Sequence, residues 1–224
     1  MPSLKRTLLY VGLIVVVTSV MVAVAPVERT MGEGIRAVYV HVALTVAAVV
    51  GFGVEAVLGV IALATGSRPT ARWLRAVAGV ALGLFAAGTF VSAVAAWINW
   101  GGMFLDEPLF RSSIVVLAFG FLLYAVMSWT EHARLHGALG LGPLIAIVWA
   151  LAGTRAALHP GASVIPESVG SIQATFAALT VLCVAAGGRL AWQLGSRRPE
   201  RTDTAMPVQW KFGWIKTGTF ISWK

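Results

Sequence analysis

Charged side chains are scarce in this chain. Asp, Glu, Lys and Arg make up 12% of its 224 residues, while hydrophobic residues make up 58%. A soluble domain carries roughly 25% charged residues, so an ordinary soluble fold is excluded. Cysteine is nearly absent: the single Cys183 lies inside an apolar run, which rules out a disulfide framework and a cysteine-based metal site. Acidic residues number 9 against 17 basic ones, a formal net charge of +8. In a chain this apolar, the excess of Lys and Arg marks the cytoplasmic side of a membrane and is no sign of nucleic-acid binding. No stretch resembles a P-loop, so any ATP would be used by a partner. The long unbroken apolar runs are also unlike the weak alternation of a membrane β-barrel. The expected fold class is an all-α integral membrane protein.

Six apolar runs approach the roughly 20 residues needed to cross the hydrocarbon core. They cover about residues 8–25, 38–64, 76–97, 113–129, 138–153 and 172–194. Met1–Arg6 is a short basic head. It resembles the start of a signal peptide, but the run behind it is long for one and Val22–Pro26 is a weak cleavage site, which favours an uncleaved first helix. Residues 1–195 then form one six-helix membrane domain, and 196–224 a cytoplasmic tail. Between the spans, Gly66–Arg75 reads as a basic loop and Thr130–Gly137 as a hydrophilic one.

Basic residues set the orientation. With the N-terminus in the cytoplasm, Lys5–Arg6, the Arg68/Arg72/Arg75 loop, the Arg134 loop and Arg197–Arg198 all fall inside. The other three loops, whose basic residues are accompanied by Glu28, Glu33, Asp106, Glu107 and Glu167, fall outside. His41 and His159 then share the outer face, while His132 and His136 lie on the inner one. The expected location is a cell (inner or plasma) membrane, with both termini cytoplasmic.

On that outer face lies Trp97–Arg111, W-I-N-W-G-G-M-F-L-D-E-P-L-F-R. A loop that merely joined two helices would need turn residues and little else. This one sets flat apolar rings beside two carboxylates, a surface suited to a large planar ligand. An aromatic belt at a helix end accounts for the same residues, since Trp favours the membrane interface. Two histidines flanking such a loop also have a chemical reading. Haem is a flat apolar macrocycle whose iron takes axial ligands, often imidazoles. The plain alternative is that each histidine is an interfacial or loop residue satisfied by water or headgroups.

Three segments carry a resemblance. Ala37–Leu44, A-V-Y-V-H-V-A-L, resembles the Y-I/V-H-V-P-A segment of the haem-handling, cytochrome c maturation protein C family. Leu158–Val164, L-H-P-G-A-S-V, resembles that family's L-H-Q-x-A/S-S-I/V segment. Trp100–Ser112 aligns without a gap on its tryptophan-rich motif, W-G-T-W-W-V-W-D-A/P-R-L-T-S. The six-span plan matches as well, so the resemblance covers about Leu8 to Leu194. It implies haem b as cofactor, with His41 and His159 as axial ligands of the iron. Around it would lie Trp97, Trp100, Gly101, Met103, Phe104, Asp106, Glu107 and Arg111. The departures are specific. Met103 and Phe104 stand for Trp-Trp, Asp106 for the last Trp, Glu107 for the Asp, and Leu109 for the Arg, with Arg111 two residues on as a substitute. The resemblance further implies a non-enzymatic protein that presents haem to a haem chaperone, with ABC-transporter subunits and membrane lipid as its other partners.

Two rivals make different predictions. A haem b subunit of a membrane oxidoreductase would bury haem between spans, on histidines within helices, and retain it. A small-solute transporter would use Glu55, an ionisable group inside the second span, as its coupling residue. A neutral Glu55 hydrogen-bonded to a neighbouring helix is the plain alternative. The 24 glycines point to close helix packing. The tail Pro207–Lys224 sets Trp210, Phe212, Trp214, Phe220 and Trp223 among Lys211, Lys216 and Lys224, which suits a segment lying on the membrane surface and equally a disordered one.

Overall fold

The computed structural model describes residues 4–153 and 170–196. Among these the chain is helical: α1 (Leu4–Ala23), α2 (Ile35–Thr65), α3 (Arg68–Trp100), α4 (Pro108–Trp129), α5 (Ala133–Leu139), α6 (Gly142–Gly153) and α7 (Gly170–Gly195). Helices α1 to α4 and α7, together with the α5–α6 pair, make six segments long and apolar enough to cross a membrane. The protein is a multi-pass helical membrane protein. His159, the Leu158–Val164 segment and the tail Pro207–Lys224 lie outside the described residues.

Helices α2 and α3 form the antiparallel spine. Helix α2 packs against α1, α3, α5, α6 and α7, and α3 also meets α4, α5 and α7. The expected basic loop at 66–75 proves to be a two-residue turn. Gly66 caps α2 at φ +65°, a left-handed conformation suited to glycine, and its amide bonds the Ala62 oxygen at 2.8 Å. Ser67 then caps α3, accepting the Thr70 amide at 3.3 Å, with Pro69 in the first turn. Arg68, Arg72 and Arg75 are therefore helical. The 33 residues of α3 extend about 50 Å at 1.5 Å each, well beyond a core of roughly 30 Å. Hydropathy marks the apolar middle of such a helix, and the polar turns at its ends read as loop.

The same cause corrects the other boundaries. Trp97–Trp100 belongs to α3 and Pro108–Arg111 to α4, which leaves 101–107 as the connection. The hydrophilic loop at 130–137 shrinks because α5 starts at Ala133, and His136 is a buried residue on it. The fifth span is not continuous: helix is interrupted at Gly140 and Leu141, just before Pro143.

Packing follows the small residues. A Cβ placed on Gly51 would come within 2.8 Å of Ala81, and one on Gly59 within 2.9 Å of the Gly137 carbonyl oxygen, so α2 meets α3 and α5 almost backbone to backbone. Three core clusters fill the remaining space. One joins the start of α2 to α7 through Tyr39, Phe176 and Leu179, with the Tyr39 hydroxyl donating to the Pro26 oxygen at 2.9 Å. A second joins α2, α3, α4 and α6 around Phe52, Phe85, Val116 and Ile147, with the Phe52 and Phe85 rings edge to face at 5.8 Å. The third, Ala62, Leu74, Ala78 and Met127, lies toward the other end. Helix α1 is held more lightly, with Thr7 donating to Gln193 Oε1 on α7 at 2.8 Å.

Candidate functional site

His41 sits six residues into α2, about 9 Å along the axis from its first residue. It is thus one layer deeper in the bundle than an interfacial residue at the helix mouth. Its Nδ1 lies 2.9 Å from the Gly88 carbonyl oxygen on α3. A carbonyl can only accept, so Nδ1 carries the proton in this bond. Gly88 is what permits this approach. A Cβ there would meet Thr45 Oγ1 at 2.7 Å and the Thr45 amide nitrogen at 3.2 Å.

The imidazole lines a cavity of about 310 Å³ between α2, α3, α4 and α6. Its walls include Thr45, Phe85, Thr89, Ser92, Phe110, Val116 and Ile147. This volume is at the lower end of the usual range for ligand sites, roughly 300–1,000 Å³. A second cavity, of about 170 Å³, adjoins it under the 101–107 connection and is lined by Ala96, Trp100, Met103, Phe104 and Leu105. Ser92, Glu107 and Phe110 belong to both walls. The two spaces therefore abut, with the histidine at the deep one and the aromatic residues at the shallow one.

Local sequence explains the shape. Gly101, at φ +74°, stops α3, its amide bonding the Trp97 oxygen at 2.9 Å. Glu107 starts α4: its side chain accepts the Phe110 amide at 2.7 Å, and Pro108 follows in the first turn. Glu107 is only 3% exposed. Between these caps Met103, Phe104 and Leu105 remain about half exposed, a set of apolar side chains above the smaller cavity.

The structure thus gathers His41, Trp100, Met103, Phe104 and Glu107 around two adjoining spaces. Trp97, 60% exposed, lines neither cavity, although Ala93 and Trp100, one turn to either side of it on α3, line the smaller one. Gly101, Asp106 and Arg111 line neither cavity; Asp106 and Arg111 are exposed and Gly101 acts as a helix stop. Sequence reasoning missed Gly88, Ser92, Thr89 and Phe110. The three- and four-residue spacing of Phe85, Thr89, Ser92 and Ala96 was the available signal, but it is shared by every helix face.

The residues present fit one end of a haem site. A ligating histidine characteristically donates its other ring N–H to a carbonyl, as His41 does to Gly88. The walls set apolar side chains such as Phe85, Phe110, Val116 and Ile147, which could pack on a macrocycle, among the hydroxyls of Thr45, Thr89 and Ser92. Among the described residues no three His, Cys, Asp or Glu side chains come together to hold a bare metal ion. No protein-family model matches this chain, and a search of curated proteins finds no match either.

Proposed function

We propose that this chain is a haem-handling protein of cytochrome c biogenesis, a non-enzymatic member of the maturation protein C type. The observation that carries the reading is the His41–Gly88 hydrogen bond beside an apolar cavity. It sets the tautomer that a metal needs and aligns the ring from a rigid helix. In this proposal haem b would bind at the outer membrane face, where His41 and His159 would hold its iron. The bound group supplies an iron centre to be handed on to a haem chaperone, with ABC-transporter subunits as further partners. The chain's own part is to orient the His41 ring through Gly88 and to pack Trp100, Met103 and Phe104 against the macrocycle. Arg111, exposed at the start of α4, supplies positive charge near that face.

The membrane is a cell inner membrane and both termini are cytoplasmic. Single cysteines introduced in a Cys183→Ser background at Gly102 and Gly161 then label from outside. Labelling of both from the cytoplasm alone removes the common-face geometry.

One observation favours a second reading. His41 lies within a helix and against a space between spans, as in a haem b subunit of a membrane oxidoreductase. The two readings part on what happens to the cofactor. Detergent-purified protein titrated with haem should develop a histidine-ligated absorption spectrum and pass the haem on to an apo-acceptor. Haem that is redox-active and never released favours the oxidoreductase subunit. No spectral change at any haem concentration defeats both.

A further inference from the structure

Glu55 takes no part in that site. It lies in the interior of α2 and is 1% exposed, and both carboxylate oxygens are buried with no hydrogen-bond partner. No basic side chain among the described residues pairs with it. An ionisable group at such a depth is expensive to keep and is by default a functional candidate.

A second feature lies beside it. Gly59 is one turn along α2 on the same face, and a Cβ there would stand 2.9 Å from the Gly137 carbonyl oxygen and 3.6 Å from the Gly140 carbonyl carbon. Helix α2 is therefore pressed against the backbone where α5 ends and α6 begins. The amide of Leu141 turns to the Ala138 oxygen at 3.3 Å, away from its regular helical acceptor, the Gly137 oxygen. Pro143, which is buried, has no amide to offer the Leu139 oxygen. The interruption thus deprives two carbonyls of their helical donors. Helix α6 runs antiparallel to α2, since its far end meets His41 while α5 meets Gly59. The chain leaving the interruption consequently travels back along α2 toward the level of Glu55. Broken membrane helices commonly present such carbonyls to coupling ions.

We propose that Glu55 is a proton-binding site, its carboxylic acid O–H donating to the carbonyls released at the α5–α6 interruption. The group bound is a single proton, taken up by the carboxylate with no other reactant. A proton suits the place better than a metal ion. Glu55 lines none of the cavities described above, and a carboxylic acid brings the donor that two donor-less carbonyls lack. This inference does not depend on haem.

Infrared difference spectra of the full-length protein in lipid, wild type against Glu55→Gln, test it at neutral pH. The expected result is a carboxylic-acid carbonyl band that shifts in D2O and is lost in Glu55→Gln. Glu55→Asp, which should move the band, serves if Glu55→Gln does not fold. Pro143→Ala returns an amide to the Leu139 oxygen, so the band should rise in frequency as the acid's hydrogen bond weakens. Absence of a band assignable to Glu55 overturns the proposal. Its loss on adding Na+ or Li+ at constant pH overturns it in favour of a metal cation. A band unmoved by Pro143→Ala removes the interruption from the site and overturns it as well.

Discussion

Two buried or half-buried histidines, near opposite ends of the bundle, use one device to different ends. His41 sets Nδ1 on the Gly88 oxygen at 2.9 Å, and His136 sets Nε2 on the Thr130 oxygen at the same distance. Each ring is therefore fixed by a backbone carbonyl on another segment. Around His41, however, helices α2, α3, α4 and α6 leave an apolar space. Around His136 the helices close: the neighbouring Gly137 stacks on the backbone of Gly59 and Leu63, and His136 Nδ1 is buried without a partner. A fixed ring becomes a ligand candidate only where it also borders a space, as His41 does. One end of this molecule is closely packed, and the other encloses a space that could receive a ligand.

The largest effect that contrast predicts is on the tight end. In Gly137→Ala the new Cβ would lie 2.5 Å from the Leu63 nitrogen and 2.6 Å from the Gly59 oxygen, both backbone atoms that cannot swing away. Overpacking of this kind typically costs about 1–3 kcal/mol, and here about 3 kcal/mol is expected. Gly102→Ala, at the receiving end, meets nothing within 4 Å and should change stability by less than about 0.5 kcal/mol. Thermal or denaturant unfolding in detergent measures both. Equal costs would erase the contrast.

Haem titrations sharpen the receiving end. His41→Ala should weaken haem binding by about a hundredfold or more, or 2.7 kcal/mol at 1.36 kcal/mol per decade, while His132→Ala and His136→Ala leave the spectrum unchanged. Gly88→Ala keeps the imidazole but pushes α3 away at Thr45, and a displaced supporting carbonyl should cost about tenfold. Trp100→Ala or Phe104→Ala should cost less than about tenfold, because these side chains are already half exposed and bury limited further area at roughly 25 cal/mol per Å². Trp97→Ala, at a residue that lines neither cavity, should cost less than either. An aromatic loss exceeding the His41 loss would mean that the loop, and not the iron, holds the ligand. Met103→Trp and Phe104→Trp should tighten binding.

The difference between the ends was only partly legible in the sequence. Hydrophobic runs announce helices because a lipid-exposed backbone must satisfy itself internally, and so all six membrane-crossing segments could be anticipated. Their ends could not. Arg68, Arg72 and Arg75 are polar by composition yet helical by conformation, since a helix continues into the headgroups without loss. Ser67 and Glu107, as helix caps, carried local signals that hydropathy does not weigh. At the site, His41 and the residues above the smaller cavity were legible through their chemistry. Gly88 was not, because a glycine that admits a histidine is the same letter as one that admits a helix. The split between α5 and α6 was foreshadowed by Pro143 alone, and its meaning depends on Gly59 across the interface.

The smallest effect concerns the connection that leads into α2 at the receiving end. Glu28 Oε2 accepts the amides of Thr30 at 2.8 Å and Met31 at 3.0 Å, and also the Thr30 hydroxyl. The Thr30 hydroxyl first, and then the Met31 and Thr30 amides, hold the Glu28 carboxyl below its ordinary value of 4.5. The connection closes on the end of α3, where Asn99 Nδ2 donates to the Gly34 oxygen at 3.1 Å. A carboxyl whose folded value is depressed adds stability that is present above its unfolded value and is lost as pH falls through the folded one. The contribution is therefore complete at neutral pH, begins to fade as pH falls below about 4.5, and is gone only below the depressed folded value. Because Glu28 is solvent-exposed, the effect should be local: faster hydrogen exchange at the Thr30 and Met31 amides in acid, with no shift of global unfolding. Glu28→Gln should show the fast exchange at every pH. Acid-accelerated exchange at Gly137 as well would mean that the two ends open together, and the tight end would then not be independently tight.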